Sequence, residues 1–515
     1  MTSIPTRASL SDLPARVDLL VIGGGISGAG ILHEATARGL SALLVERGDF
    51  ASGTSSASSK LVHGGLRYLK QGQWRLTLES VRARDRLLRS RAGLVEPQPF
   101  LMPVYRGMRP GLATMRAGLL LYDLMGGHGL DAQRSRRLSA AQARAVQAEL
   151  RSEGLLGALV YRDAATDDAR LVLRLIFEAR QRGAWALNYV SAERLLVAKA
   201  RVHGAVLRDA CAGTEREIEA TLTVNATGAW CASDRFAFEA AAPPALRPLR
   251  GSHFLIPLAR LPVHQAVGWL HPRDGRPVFV YPWQGAALYG TTDVDHDAQA
   301  LDAPRMSAAE ADYLLEGLRW QFPAARLEPA DLLSSYAGVR PVVAGGKSDP
   351  STESRESALW DGPGYLGITG GKLTTFERTA RQVLDRAARS NPQLAPRKPA
   401  APPMPPVAGD RLSARYGAEG QRWIAACGET QEAIGNTPYR WSELAWCARH
   451  EAVVHLDDLL LRRTRLGLLL PEGGAAVLDR VGDLCRRELG WDEPRWRHER
   501  ARYLELWRQR HAVWP

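Results

Sequence analysis

Residues Val17 to Ile22 form a short, mostly apolar run of the kind that makes a strand buried on both faces. A helix ending near Gly39 follows, and then a second apolar run, Ser41 to Val45. Ala220 to Val224 is another strand-prone stretch, and Arg250 to Thr292 is β-rich, with alternation in PVFVYPW. Residues 364–387 predict a glycine-rich turn opening a helix. The six prolines of residues 394–407 read as a stiff, extended linker. Beyond it, residues 441–470 show helical periodicity, so 408–515 are expected to be a small helical cap. Strands alternating with helices make the chain α/β.

The first turn carries the most specific signal. Gly23, Gly25 and Gly28 give GxGxxG between the first strand and its helix, and Glu46 ends the second strand eighteen residues after Gly28. The first glycine permits the tight turn, the second lets backbone approach a diphosphate, and the third lets helix and strand pack closely. Ile26 then begins a helix whose free N–H groups face an anion, and a carboxylate at Glu46 can accept from ribose hydroxyls. This unit alone fits NAD and FAD equally. Three further segments favour FAD: TSSASSKLVHGGLRYL (54–69), NATGAW (225–230) and the turn at 370–374, because separated pieces gathering on one ligand suit a larger cofactor.

The order of TSSASSKLVHGGLRYL, DDARLVL (167–173), NATGAW, GSHFLIP (251–257), YGTTDVD (289–295), SYAGVRP (335–341) and GGKLTTFE (370–377) resembles the membrane-associated, FAD-dependent glycerol-3-phosphate dehydrogenases of the aerobic type. The resemblance runs from residue 17 to about 385 and continues more weakly beyond. It implies a Rossmann-like FAD-binding domain of the D-amino-acid-oxidase/glutathione-reductase type, a β-rich substrate domain and a helical C-terminal cap. The expected boundaries are 17–100, 150–235 and 335–390 for the discontinuous FAD domain, 101–149 and 236–334 for the substrate and membrane-facing domain, and 408–515 for the cap. Cofactor contacts are expected from Gly23, Gly25, Ile26, Gly28, Glu46, Thr54, Ser55, Ser59, Lys60, His63 and Gly65, and later from Thr227, Gly228, Gly338, Gly371, Lys372, Leu373 and Thr374. Ala229 stands where relatives are expected to have Pro.

The chain has 515 residues and a formal charge of +12, which invites an anionic partner. Nucleic acid is excluded by the spread of basic residues and the lack of a binding module. The stronger candidate is an anionic membrane surface, contacted through residues 101–125, where Arg106, Arg109 and Arg116 interleave with Leu112, Met115, Leu119, Leu120, Leu121 and Met125. A helix packed on the core is the competing reading. Arg462, Arg463 and Arg465 are expected at a solvated basic end. The five cysteines have no metal-ligand spacing and read as reduced thiols. DVDHD at 293–297 starts like a calcium loop, but Ala298 and Pro304 occupy the positions that need Gly and a bidentate carboxylate, so no metal is expected. The N-terminus lacks a signal-peptide core and no run is long enough to span a bilayer, so no membrane span is expected, and the resemblance implies a peripheral place on the cytoplasmic face of the cell membrane. A homodimer is one assembly this allows.

The resemblance implies oxidation of sn-glycerol 3-phosphate to dihydroxyacetone phosphate, with electrons passed to ubiquinone or a similar quinone. The alternatives are an oxidase that reduces O₂ and a non-catalytic flavoprotein. A dianionic substrate calls for cations, and Arg67, Arg340, Arg355 and Lys372 lie in or near matching motifs. Tyr68 is expected at the substrate. The expected catalytic residues are His253, Arg340 and Lys372, with His253 as proton acceptor because imidazole titrates near neutrality.

Overall fold

The computed structural model describes residues 7–66, 72–126, 134–346, 353, 356–397, 410–427 and 431–513. Two sheets organise them. The first runs Ser357–Gly362, Tyr365–Gly370, Thr214–Asn225, Arg16–Ile22, Ala42–Glu46, Trp185–Asn188. Its four inner pairings, from Tyr365–Gly370 through to Trp185–Asn188, are all parallel. Helix Ile26–Ala37 covers one face, flanked by helices Asp168–Gln181 and Phe376–Ser390. The antiparallel strands Val190–Ala198 and Arg201–Asp209 branch from Thr214–Asn225 and help close the other face. With both faces covered, Leu19 to Val21 and Leu43 to Val45 are fully buried, which is why they read as continuous apolar runs.

The second sheet runs Val294–Asp295, Leu246–Pro257, Ala286–Gly290, Pro277–Trp283, Ala266–Leu270, Val95–Tyr105, Leu155–Thr166, Leu61–Val62. Ser334–Val343 pairs with Leu246–Pro257, and Arg136–Ser139 with Leu155–Thr166. Residues 61–62, 95–100, 155–166 and 335–343 fall in segments expected in the FAD domain, yet they pair in the second sheet. Apolar alternation marks a strand, but its partners lie well beyond local range, Ala165 for Leu61 and Val343 for Leu246, and only the assembled chain chooses them. Helix Ala308–Gln321 packs on one face of this sheet. The C-terminal helices, among them Arg411–Ala426, Trp441–His450 and Glu493–Arg510, pack on the other, where Tyr281, Trp283 and Tyr336 meet Tyr439, Trp441 and Leu444.

Arg462, Arg463 and Arg465 are not a solvated end. All three are buried. Arg463 forks onto Asp49 at 2.5 and 2.8 Å, and Arg462 donates to the same carboxylate at 2.5 Å. Arg465 donates to Asp167 and Asp168 at 2.9 and 2.5 Å, Arg415 reaches Asp167 at 2.9 Å, and Arg170 pairs with Glu451 in a bidentate contact. Except for the last pair, cations of the cap meet acids of the N-terminal half. Unpaired, each charge would cost several kcal/mol to bury. The contacts therefore dictate how the cap seats on the nucleotide-binding sheet.

The segment 101–125 divides. Leu101 to Tyr105 ends a buried strand, whereas Leu112–Met125 is a helix with an inner face at Leu119, Tyr122 and Asp123. Leu120 and Leu124 point outward, the latter 65% exposed, and Arg106, Arg109 and Arg116 are exposed beside them. Trp74, at the start of the neighbouring helix Trp74–Ser90, is also half exposed. No helix among the described residues is long and apolar enough to cross a membrane. Residues 398–407 of the proline-rich stretch lie outside the described residues.

Candidate functional site

A cleft of about 610 Å³ opens at the carboxyl ends of the parallel strands, a volume typical of ligand sites. Gly23, Gly25, Glu46, Ser55, Thr227 and Gly371 are on its walls. The three glycines differ in what they face. Gly23 has φ +111°, and a Cβ there would stand 2.7 Å from the Ala226 carbonyl oxygen. A Cβ on Gly28 would collide with the Gly23 carbonyl, so this position is for packing and lies behind the cleft. A Cβ on Gly25 would meet only the Ser55 hydroxyl, at 3.1 Å. That is a cradle left open for a ligand.

The helix behind the loop has no side-chain cap on Gly25, and Ile26 N–H donates to Ser55 Oγ at 2.9 Å. Orphan N–H groups and the positive dipole end suit a diphosphate. The Glu46 carboxylate accepts from Gly24 N–H at 2.7 Å and Gly48 N–H at 2.9 Å, while burial pushes its pKa up. A carboxylate has about four acceptor positions, which leaves capacity for a ribose diol. On the far wall the NATGAW turn is braced by Asn225. Its Oδ1 accepts from Thr227 Oγ1 at 2.6 Å, and its Nδ2 donates to the Tyr365 hydroxyl at 2.9 Å. The Gly228 carbonyl in turn accepts from Thr369 Oγ1 at 2.8 Å. These residues fit a dinucleotide.

Ile26, Thr54, Gly228, Lys372 and Leu373 also line the cleft. Others stand behind it. Gly338 packs against Ala57, and Thr374 Oγ1 donates to the His63 carbonyl at 3.3 Å. Gly65 is buried outside the lining. Lys60 is completely buried. Its ammonium donates to Asp168 at 2.9 and 3.1 Å and to the Ser56 carbonyl at 2.8 Å, and burial holds its pKa down to about 8. It locks the Ser-rich loop to the helix at Asp168 and does not line the cleft. Sequence reasoning missed Trp230, Arg47 and Arg510, which do. Arg47 lies 4.9 Å over the Trp230 ring and pairs with Asp302. Trp230 was legible as the last residue of NATGAW; nothing local marks Arg510.

On the second sheet, His253 and Arg340 occupy adjacent strands. His253 is opposite Tyr336 and Gly290, and Gly251 is opposite Gly338. Both glycines make room, since a Cβ on Gly290 would enter the His253 ring and one on Gly251 the Arg340 guanidinium. His253 stacks on Tyr336 with centroids 4.8 Å apart, and its Nε2 is 2.9 Å from Ser59 Oγ. Among the described residues its Nδ1 has no hydrogen-bond partner. Burial first, then the charges of Arg340 and Lys60, holds its pKa well below the usual 6.5, so the ring is neutral. The ring was expected to face the substrate, but it is fully buried, and Ser59, only partly buried, stands at its Nε2. Ser59 thus touches His253 and not the cleft lining. Arg340 donates from Nη1 to Asp293 at 3.1 Å and from Nη2 to Thr291 Oγ1 at 3.0 Å, and its side chain is 21% exposed. Asp293 and Asp295 of the acidic run are partnered by Arg340 and Arg247. Arg67, Tyr68 and Arg355 lie outside the described residues.

A parallel sheet with a GxGxxG cradle at its carboxyl edge, joined to a second sheet carrying buried imidazole and guanidinium groups, defines a dinucleotide-dependent redox enzyme. Residues 18–375 match the model of the FAD dependent oxidoreductase family, and the chain belongs to that family. FAD is its cofactor. Residues 366–496 match the C-terminal domain of alpha-glycerophosphate oxidase.

The relatives are more particular. The chain is 36% identical over 374 residues, 72% of its length and 67% of the relative's, to the aerobic glycerol-3-phosphate dehydrogenase of Staphylococcus haemolyticus, and the same figures hold for that of Staphylococcus aureus. Among solved structures, the glycerol-3-phosphate dehydrogenase from Bacillus halodurans complexed with FAD superposes with a TM-score of 0.76 at 27% identity, covering 97% of this chain and 96% of that one. Glycine oxidase from Geobacillus kaustophilus shares the fold at 20% identity, TM-score 0.55, over 73% of this chain and 95% of that one.

Proposed function

We propose that this chain oxidises sn-glycerol 3-phosphate to dihydroxyacetone phosphate at the membrane surface and delivers the electrons to a quinone. The observation that carries the reading is the 36% identity to aerobic glycerol-3-phosphate dehydrogenases over 72% of the chain. It is supported by a guanidinium held ready on the second sheet. FAD, when bound, supplies the two-electron acceptor.

The residues divide the remaining work. Arg340 is oriented by Asp293 and Thr291 and lies flat over Gly251, so its fork is preorganised for phosphate oxygens. Lys372 adds a second cation from the cleft wall. The alcohol's proton passes to Ser59 Oγ as the Ser59 proton passes to His253 Nε2, 2.9 Å away. A neutral imidazole has the vacant lone pair this transfer needs. Tyr336, stacked on His253, keeps the ring in plane with that hydroxyl. The apolar side chains of Leu120, Leu124 and Trp74, with Arg106, Arg109 and Arg116 beside them, suit a monotopic contact with anionic lipid, within reach of a bilayer-soluble quinone.

The C-terminal match to alpha-glycerophosphate oxidase favours a second reading, in which O₂ takes the electrons. Purified protein is supplied with glycerol 3-phosphate, and O₂ uptake is compared with reduction of a quinone analogue, with and without anionic vesicles. Quinone reduction that rises with vesicles and exceeds O₂ uptake supports the first reading; stoichiometric peroxide supports the second. If glycerol 3-phosphate does not bleach the flavin under anaerobic conditions, both fail.

A further inference from the structure

Among the described residues, four cations line the cleft: Arg47, Arg235, Lys372 and Arg510. Three are already engaged. Arg47 pairs with Asp302 and Arg235 with Glu193, and Lys372 has partners of its own. Among the described residues Arg510 has neither a hydrogen bond nor an ion pair, although it is partly buried. It is the last residue of helix Glu493–Arg510, beyond both matched regions, 18–375 and 366–496.

Its position is nevertheless tightly held. The next residue, His511, is tied to the second sheet at two points: its carbonyl accepts from Ser335 N–H at 2.8 Å, and its Nδ1 lies 2.9 Å from the Ser335 carbonyl. His511 N–H also closes the helix on Trp507 at 2.8 Å. Ser335 belongs to the strand that carries Arg340. The guanidinium is therefore delivered to the cleft wall with its backbone already ordered, and a ligand that engages it loses little additional entropy. Burial lowers its pKa, outweighing the attraction of the more distant carboxylates of Asp457 and Asp302.

We propose that Arg510 binds the diphosphate of FAD, so that the end of the C-terminal helix completes a cofactor site otherwise lined by residues between Ile22 and Thr379. The diphosphate is the anionic part of the cofactor, and the cleft that Arg510 lines also includes Arg47, Gly48, Ser52 and the open cradle at Gly25. The inference depends on this cleft being the FAD site and not on which alcohol is oxidised.

Full-length protein stripped of flavin is titrated with FAD, ADP and adenosine. Arg510→Ala should weaken FAD and ADP at least about tenfold, about 1.4 kcal/mol, and leave adenosine within about twofold. Arg510→Lys should recover part of the loss, and Arg510→Gln, which keeps the packing, should behave like Ala. The assignment is overturned if Arg510→Ala binds ADP as tightly as the unaltered chain, or if ADP and adenosine are weakened equally, which marks a packing defect. Failure of the unaltered chain to bind ADP would remove the cleft itself as the nucleotide site, whatever the enzyme does with glycerol 3-phosphate.

Discussion

Arg340→Ala separates a binding role from a structural one. The side chain is 21% exposed and its Nη1 is 3.1 Å from Asp293, whose own side chain is 1% exposed. Truncation removes that partner, but Arg276 remains 3.5 Å from the same carboxylate. The stability loss should then stay near the roughly 1–3 kcal/mol of a buried acceptor deprived of one donor. Catalysis should suffer more. Losing one side of a desolvated charge-assisted contact costs roughly 2–5 kcal/mol, which lowers kcat/KM for glycerol 3-phosphate at least about thirtyfold. Arg340→Lys should regain only part, because an ammonium cannot hold Asp293, Thr291 and two phosphate oxygens together. The assay is dye-coupled oxidation with flavin content measured on the same sample, and plain glycerol, which has no phosphate, is the control. If the variant loses as much on glycerol as on glycerol 3-phosphate, or sheds its flavin, Arg340 does not hold the phosphate.

Gly25→Val should fold yet lose its yellow chromophore, since its side chain enters the open cradle, whereas Gly28→Val should fail to fold because of the Gly23 carbonyl; flavin absorbance and thermal melting distinguish them, and a fully flavinated Gly25→Val refutes the cradle. Asp49→Ala strands Arg463 beside two backbone carbonyls, so chemical denaturation should register a loss of roughly 3–5 kcal/mol, and a change below about 1 kcal/mol would mean that the cap does not depend on this contact. The His511 pKa is held down to about 4, chiefly by burial, so the ring is neutral in the folded protein. Between pH 6.5 and 4 the unfolded chain carries a proton the folded chain does not, and stability falls as pH falls, by at most roughly 3 kcal/mol from this group. His511→Asn should flatten the melting curve across that window, and an unchanged slope refutes the assignment.

The nucleotide half of the protein was legible because its chemistry is local. Gly23, Gly25, Gly28 and Glu46 work through turn geometry, close approach and helix-end N–H groups within some thirty residues, so spacing alone reveals them. The NATGAW turn and the glycines at 370–371 were legible for the same reason. Burial of charge was not. Lys60, in a hydroxyl-rich motif, read as a cofactor ligand, and the Arg462–Arg465 run read as a solvated end. Both turn inward because Asp49, Asp167 and Asp168 wait for them across the assembled chain. Sheet membership of residues 155–166 and 334–343 was decided in the same way, by partners remote in sequence. Period and composition specify that a strand or a cation exists; desolvation makes its partner obligatory, and only the tertiary structure brings that partner within 3 Å. Arg510 follows the same logic, an ordinary arginine in an arginine-rich helix until the Ser335–His511 contacts set it on the wall of the cofactor cleft.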